Sequence, residues 1–134
     1  MILIDPYFEQ NGIEKTHIQA KLGPLNKNSK TFRIINAHID ANLLFLNIEY
    51  RASCSGNDSF EFLGGTLYHN EQNIPCRETQ LFISGTNEVC SIKNEIKIID
   101  LHELTSKEVK YSEVLLSISG FRTKMTYVYL PEKS

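Results

Sequence analysis

Three cysteines, Cys54, Cys76 and Cys90, together with His38, His69 and His102, carry most of the side chains from which chemistry could be built in this chain. A thiol nucleophile needs a base beside it and a third group to orient that base. Cys76 and His69, seven residues apart, are the tempting pair, but no strained nucleophile elbow of the G-x-S-x-G kind accompanies them. Chemistry of that sort would make the protein a Cys/His-dependent hydrolase. His38 and Asp40 stand two apart, a spacing that presents both side chains on one face of a strand. No third ligand follows at a diagnostic distance, and no C-x-x-C pair exists, so the strong zinc signatures are missing and no metal or cofactor is expected.

The other reactive groupings read as surface. Glu49 with Glu61 and Asp100 with Glu103 are paired carboxylates of the kind that solvate a sheet. Gly64-Gly65 has neither the following helix nor the lysine that a phosphate loop requires. Lys93, Lys97, Lys107 and Lys110 are not interleaved with aromatics. With 14 basic against 16 acidic residues, the net charge of −2 removes the counterion-release drive for nucleic-acid binding. No catalytic residue is assigned.

The elements that would hold these groups are strands. The chain has 134 residues, enough for one domain with a core of its own. It has 15 Ile, eight Thr, seven Phe and six Tyr against four Ala, a composition suited to pleated, half-buried surfaces. His17 to Leu22 alternates with period two, and Gly23-Pro24 ends it. Phe32 to Ile39 and Leu43 to Ala52 predict a hairpin across Asp40-Ala41-Asn42. The apolar parity changes between Ile34 and Ile35, which predicts a bulge there, with Phe32 and Ile34 inward before it and Ile35, Ala37 and Ile39 inward after it. Further strands are expected near 60–68, 78–84 and 91–101. A short irregular or 3₁₀ segment is expected over Asp100–Leu104, and a last hairpin joins 114–119 to 125–130. No apolar run approaches the roughly 18 residues of a membrane span.

Seven or eight strands at near-regular spacing, with no amphipathic helix, predict a single immunoglobulin-like antiparallel β-sandwich over residues 17–131, after a lead-in at 1–16. In the last strand Met125, Tyr127 and Tyr129 share one face and Val128 and Leu130 the other. With the Val128 side as core, Met125, Tyr127 and Tyr129 form an exposed aromatic stripe suited to recognition.

On spacing alone the cysteines leave two readings open. Three free thiols suit a reducing cytoplasm, and a Cys54–Cys90 bond would close a loop of roughly 37 residues worth about 4 kcal/mol, with Cys76 unpaired. The run from Phe32-Arg-Ile-Ile-Asn-Ala-His-Ile-Asp-Ala-Asn through Leu-Leu-Phe-Leu-Asn-Ile-Glu-Tyr-Arg-Ala-Ser to Cys54, then Phe60-Glu-Phe62, Gly85-Thr-Asn-Glu-Val-Cys90 and Ile96-Lys-Ile-Ile-Asp-Leu101, carries a resemblance. It is similar to a family of small, mostly uncharacterised, secreted or lipid-anchored β-sandwich proteins of Bacteroidetes-type bacteria. That family shows a hairpin of the form f-i-x-x-a-x-i-x-x-n-x-L-x-l-x-v-x-Y-s-G-G-C, then a second cysteine and a strand ending in Asp-Leu. The match spans about Phe32–Leu104. Arg51-Ala52-Ser53 stands where the family has Ser-Gly-Gly, and no histidine lies between Cys54 and Phe60.

The resemblance implies a Cys54–Cys90 disulfide, an extracytoplasmic location (periplasm or cell surface) and no chemistry. Asp5-Pro6 cuts short the apolar start Met1-Ile2-Leu3-Ile4, which points either to a leader removed beforehand or to a cytoplasmic chain. The combined expectation is a non-enzymatic binding domain whose partner is another macromolecule at the cell envelope. A cytoplasmic binding or inhibitory protein is the alternative, and a Cys/His-dependent hydrolase or metal-binding enzyme the third reading.

Overall fold

The alternating run from Leu43 to Ser53 forms the spine of the molecule. In the computed structural model, which describes residues 17–86, 88–104 and 113–128, it is one continuous strand. Leu44, Leu46 and Ile48 are wholly buried on its inner side, and Phe45, Asn47 and Glu49 are half-buried on its outer side. Burying each of those three aliphatic side chains contributes about 2 kcal/mol relative to leaving it in water. In chain order the strands are β1 (His17–Gln19), β2 (Lys21–Leu22), β3 (Phe32–Asp40), β4 (Leu43–Ser53), β5 (Ser59–Gly64), β6 (Tyr68–His69), β7 (Pro75–Ser84), β8 (Val89–Asp100), β9 (Glu113–Ile118) and β10 (Met125–Val128). A 3₁₀ turn at His102–Leu104 follows β8.

Two sheets stack face to face, in the order β1-β8-β4-β3 and β10-β9-β7-β5-β2, with β6 attached to β7. The protein is an all-β sandwich, as its composition predicts. The chain crosses between sheets from β4 to β5 and back from β7 to β8, so each sheet has central strands from both halves of the sequence. The pairing is mixed. The long ladders and hairpins are antiparallel, while β1 with β8, β2 with β5 and β7 with β9 run parallel. The first two of these pairs arise because β1 and β2 are two halves of one edge strand. It changes sheets at the buried Ala20 while keeping its direction.

The bulge in β3 falls where the parity shift places it: Ile34 pairs with Ile48 and Asn36 with Asn47, leaving Ile35 as the extra residue. Ile35 itself is 42% exposed, against the expectation that it faces inward. It is the residue the bulge expels. Ala37 and Ile39 resume the inner face and pack on the core.

The last hairpin corrects the expected aromatic stripe. Tyr127 is only 2% exposed and belongs to the core, and Met125 packs against it. Residues directly opposite in an antiparallel pair share a face. Tyr127 opposes Val114 and Met125 opposes Leu116, both buried, so Met125 and Tyr127 point inward. The Tyr127 hydroxyl donates to Asn42 Oδ1 at 2.9 Å, and the Asn42 carbonyl accepts from Leu101 N–H at 2.8 Å. This fastens the β3–β4 turn, where Ala41 holds a left-handed φ of 54°, to the rest of the core. Tyr129, the lead-in at 1–16 and the polar run 106–110 lie outside the described residues.

Replacing Tyr127 with Ala is expected to cost about 4 kcal/mol in urea-induced unfolding, the range of a large core truncation. Tyr127→Phe should cost about 1 kcal/mol for the lost hydrogen bond. A loss below about 0.5 kcal/mol for Tyr127→Ala would put this side chain back on the surface.

Candidate functional site

Along the inner face of β8 the side chains change character. Ile99 is core, but the next inward positions are Lys97, Glu95 and Lys93, set opposite Leu46, Ile48 and Tyr50 of β4. A sandwich interior tolerates charge only when it is paired and hydrogen-bonded. Lys97, 3% exposed, meets that condition three ways. Its Nζ lies 2.9 Å from Glu95 Oε1 and 3.8 Å from the centroid of the Phe60 ring on β5, and its methylene stem runs through the core edge. The Tyr50 hydroxyl donates to the same Glu95 oxygen at 2.9 Å, and the Tyr50 and Phe60 rings meet edge to face at 5.3 Å.

The pKa directions follow from that geometry. Burial works to raise the Glu95 pKa, but hydrogen bonding and attraction from Lys97 outweigh it, with Tyr50 and Lys93 contributing. The carboxyl is held below its ordinary range. Burial, reinforced by Glu95, pushes the Tyr50 hydroxyl well above the usual phenol range. Around neutral pH Glu95 is therefore an anion and Tyr50 a neutral hydroxyl.

These residues line a 380 Å³ cleft between the sheets, with His17, Ile18, Gly56, Asp58, Ser59, Phe60 and Lys93 completing its walls. An adjoining cleft of 520 Å³ shares His17, Ile18, Ser59 and Phe60 and extends past Lys21 and Glu61 to Phe82. Both lie beside the split edge strand, where among the described residues β1 pairs with β8 only at Ile98–Asp100 and β2 with β5 only at Leu63–Gly64.

A second polar cluster closes the end of the sandwich beside the cleft. Lys30 Nζ lies 2.7 Å from both Asp58 Oδ1 and Ser53 Oγ, and it also donates to the Arg51 carbonyl. Ser53 donates to Asp58 through its backbone N–H at 2.8 Å and its hydroxyl at 2.6 Å, and Thr86 N–H donates to Ser53 Oγ. Three loops and the end of β4 thus meet on one buried carboxylate. Burial alone would raise the Asp58 pKa; the bonds from Lys30 and Ser53 bring it down to about 2. Gly85 completes the fit, because a Cβ there would fall 1.9 Å from Asp58 Oδ1.

Cys54 and Cys90 are disulfide-bonded directly beside this cluster, with Cα atoms 4.8 Å apart. The bond joins the end of β4 to the start of β8, both half-cystines are exposed, and Cys76 is the free, buried cysteine. Disulfides persist in oxidising compartments and are rare in reducing ones. The Cys76 thiol donates to the Ile74 carbonyl at 3.3 Å, whereas His69 is exposed and opposes Pro75. Among the described residues no hydrogen bond joins Cys76 to His69. His38 stacks on Phe45 at 4.8 Å on the exposed side of β3, with Asp40 beyond it, and His102 sits in the 3₁₀ turn, so these imagined ligands do not converge. Among the described residues no helix is long and apolar enough to cross a membrane.

Sequence reasoning missed the cleft because it treated Lys93 and Lys97 as possible surface patch members and Glu95 not at all. The signal was available: in β8 the parity of Ile99 continues through Lys97, Glu95 and Lys93. Comparison with protein-family models, curated proteins and solved structures finds no match to this chain.

The Asp58 cluster has a definite pH signature. A carboxyl held near 2 in the folded chain, against 3.8 when free, adds stability that is complete above pH ~4 and lost as pH falls toward 2. Urea midpoints measured from pH 5 to pH 2 should show that loss. Asp58→Asn should flatten this limb and cost about 3 kcal/mol at neutral pH, because Lys30 is left buried without its counter-charge. An acid limb unchanged in Asp58→Asn would remove Asp58 from this role.

Proposed function

We propose that this protein is a non-enzymatic binding domain that works in an oxidising, extracytoplasmic compartment of the bacterial envelope and engages another macromolecule there. The observation that carries the reading is the Cys54–Cys90 disulfide, placed on the surface where a reducing compartment would attack it. It stands next to the Lys30–Asp58–Ser53 cluster and the charged cleft. Together the covalent bond and the buried ion pair fix the loops at one end of the sandwich before any partner arrives. Fixing a surface in advance lowers the entropy cost of association, which favours a recognition role for this end. The resemblance to secreted or lipid-anchored β-sandwich proteins supports the same compartment.

The competing readings depend on different states of the thiols. A cytoplasmic binding or inhibitory protein would carry three reduced cysteines. A hydrolase using Cys76 would need that thiol accessible beside His69, and here it is buried on the Ile74 carbonyl.

Thiol trapping in the cells that make the protein, followed by fractionation and peptide mapping, tests the reading. Cys54 and Cys90 should resist alkylation until reduced, Cys76 should react only after unfolding, and the chain should fractionate with the envelope. Three reduced cysteines in a chain recovered with the cytosol would overturn the compartment and bring the cytoplasmic reading forward.

A further inference from the structure

The body of the sandwich encloses the charged ends of Lys97, Lys30 and Arg77. Lys97 lies 2.9 Å from Glu95 and Lys30 lies 2.7 Å from Asp58, so each lysine has its counter-charge. Arg77 is 4% exposed and has no carboxylate within ion-pair distance among the described residues. It stands on the inward parity of β7, in step with Thr79 and the core residues Leu81 and Ile83. The groups set around it offer no replacement. Its register partner on β9 is Leu116, Leu104 of the 3₁₀ turn closes over the same spot, and the Thr79 hydroxyl already donates to the Ser117 carbonyl at 2.9 Å. Burial is the one influence on its pKa, drawing it below the ordinary arginine value. Neither a carboxylate nor a second cation among the described residues acts on it. A guanidinium stays charged even so.

Two glycines fix how that cation is presented. Arg77 Nη1 donates to the Gly65 carbonyl, and Gly65 N–H donates to the Glu78 carbonyl at 2.8 Å. At Gly64 a Cβ would lie 3.0 Å from Arg77 Cδ and 2.7 Å from Leu104 Cδ2, so glycine there leaves room for the arginine stem beneath the turn. The Gly64-Gly65 pair, which lacks a phosphate-loop context, thus serves to hold Arg77 in one orientation. With Nη1 committed to Gly65, Nε and Nη2 form the remaining edge of the guanidinium. Nε is fully buried and has no hydrogen-bond partner. Native proteins rarely leave a buried donor in that condition unless a ligand, an ion or ordered water meets it.

We infer that the Nε–Nη2 edge of Arg77 is a binding site for one small carboxylate, held between β5, β7 and the 3₁₀ turn. Two N–H groups side by side match the two oxygens of a carboxylate and bind it as a bidentate pair. Charge sets the class of ligand. A monoanion neutralises a single guanidinium, whereas a phosphate or sulfate dianion would leave surplus negative charge buried beside Leu104 and Leu116. Burial sets the size, since so enclosed a side chain admits a group no larger than formate or acetate. The site is separate from the clefts beside β8 and does not depend on the compartment in which the protein works.

The test uses the full oxidised chain, labelled with ¹⁵N and ¹³C, with the Arg77 Nε–H resonance assigned through its own side-chain carbons. Sodium acetate replaces sodium chloride at neutral pH and constant ionic strength. The Nε–H signal should move downfield and saturate. The melting temperature should rise by about 3 °C at about ten times the dissociation constant. Formate should act like acetate, and sulfate should bind about tenfold more weakly or not at all. Arg77→Met keeps an apolar stem without the charge and should lose the acetate-dependent rise in melting temperature. Arg77→Lys, a point charge without the planar fork, should bind acetate about tenfold more weakly.

An Nε–H signal that stays put or drifts without saturating removes the site and leaves Arg77 a hydrated structural residue. Sulfate binding as tightly as acetate overturns the carboxylate assignment. A rise in melting temperature that persists in Arg77→Met places the acetate elsewhere on the molecule. Should Arg77→Met fail to fold, the Nε–H titration of the wild-type chain decides the question alone.

Discussion

The antiparallel ladder between β4 and β8 is the constraint from which the other features of this molecule follow. One register has to satisfy two opposite demands on a single inward face. At one end it sets Leu44 against Ile99 in dry core; at the other it sets Ile48 and Tyr50 against Glu95 and Lys93. A one-residue slip would turn Lys97 outward and bring Ile96 and Ile98 to the inner face in its place, so the register is not chosen by apolar burial alone. It is selected as well by the bonds that Lys97 and Tyr50 make to Glu95 and by the Phe60 ring beneath the ammonium. A fully satisfied buried polar group of this kind adds little net stability compared with well-packed aliphatic residues. What it adds is discrimination between alternative alignments, since every other alignment leaves a charge unpaired.

The same ladder decides where the disulfide lies. Ser53 and Val89 are paired at the end of β4 and the start of β8, after a local irregularity at Ala52 and Ser53, and Cys54 and Cys90 follow as immediate neighbours. The bond thus clamps the ladder at the end where its inner face is least apolar. The Lys30–Asp58–Ser53 cluster closes that end from the inside and links it to Thr86 and, through Gly85, to the β7–β8 turn. Covalent and electrostatic closure take over where hydrophobic closure runs out.

How much of this was legible in the sequence depends on the range of the signal. The strand composition, the β3–β4 hairpin and the bulge near Ile34 were readable because each is a local pattern of period two and its interruption. The orientation of the last hairpin was misread for a specific reason. Tyr127 was judged from its own strand, where either face could be core, and not from its pairing with Val114, which fixes the face. The split of the first strand into β1 and β2 could not be seen, because Ala20 sits in an unbroken alternation and the change of sheet is imposed by what lies on either side. The Lys30–Asp58 pair is 28 residues apart in sequence, joins two loops, and leaves no periodic trace at all. Lys97, by contrast, was discoverable: a lysine on the inward parity of a strand that ends in core isoleucine calls for a partner, and Glu95 stands two residues away.

That split edge strand gives the sandwich two unlike sides. On the β3 and β10 side the two sheets come together, and the β3 edge is interrupted by the bulge at Ile35. On the other side one short strand is shared between both sheets, and among the described residues it pairs with β8 only at Ile98–Asp100 and with β5 only at Leu63–Gly64. A sandwich that needed only to be stable would do better with apolar residues at positions 93, 95 and 97 and a longer edge strand, since aliphatic packing replaces a buried ion pair with no loss of stability and often some gain. Here the inner face instead carries Lys97 and Glu95, paired with each other, and the exposed Lys93 beyond them. The polar half of β8 thus contributes more to fixing the alignment of β8 on β4 than to net stability.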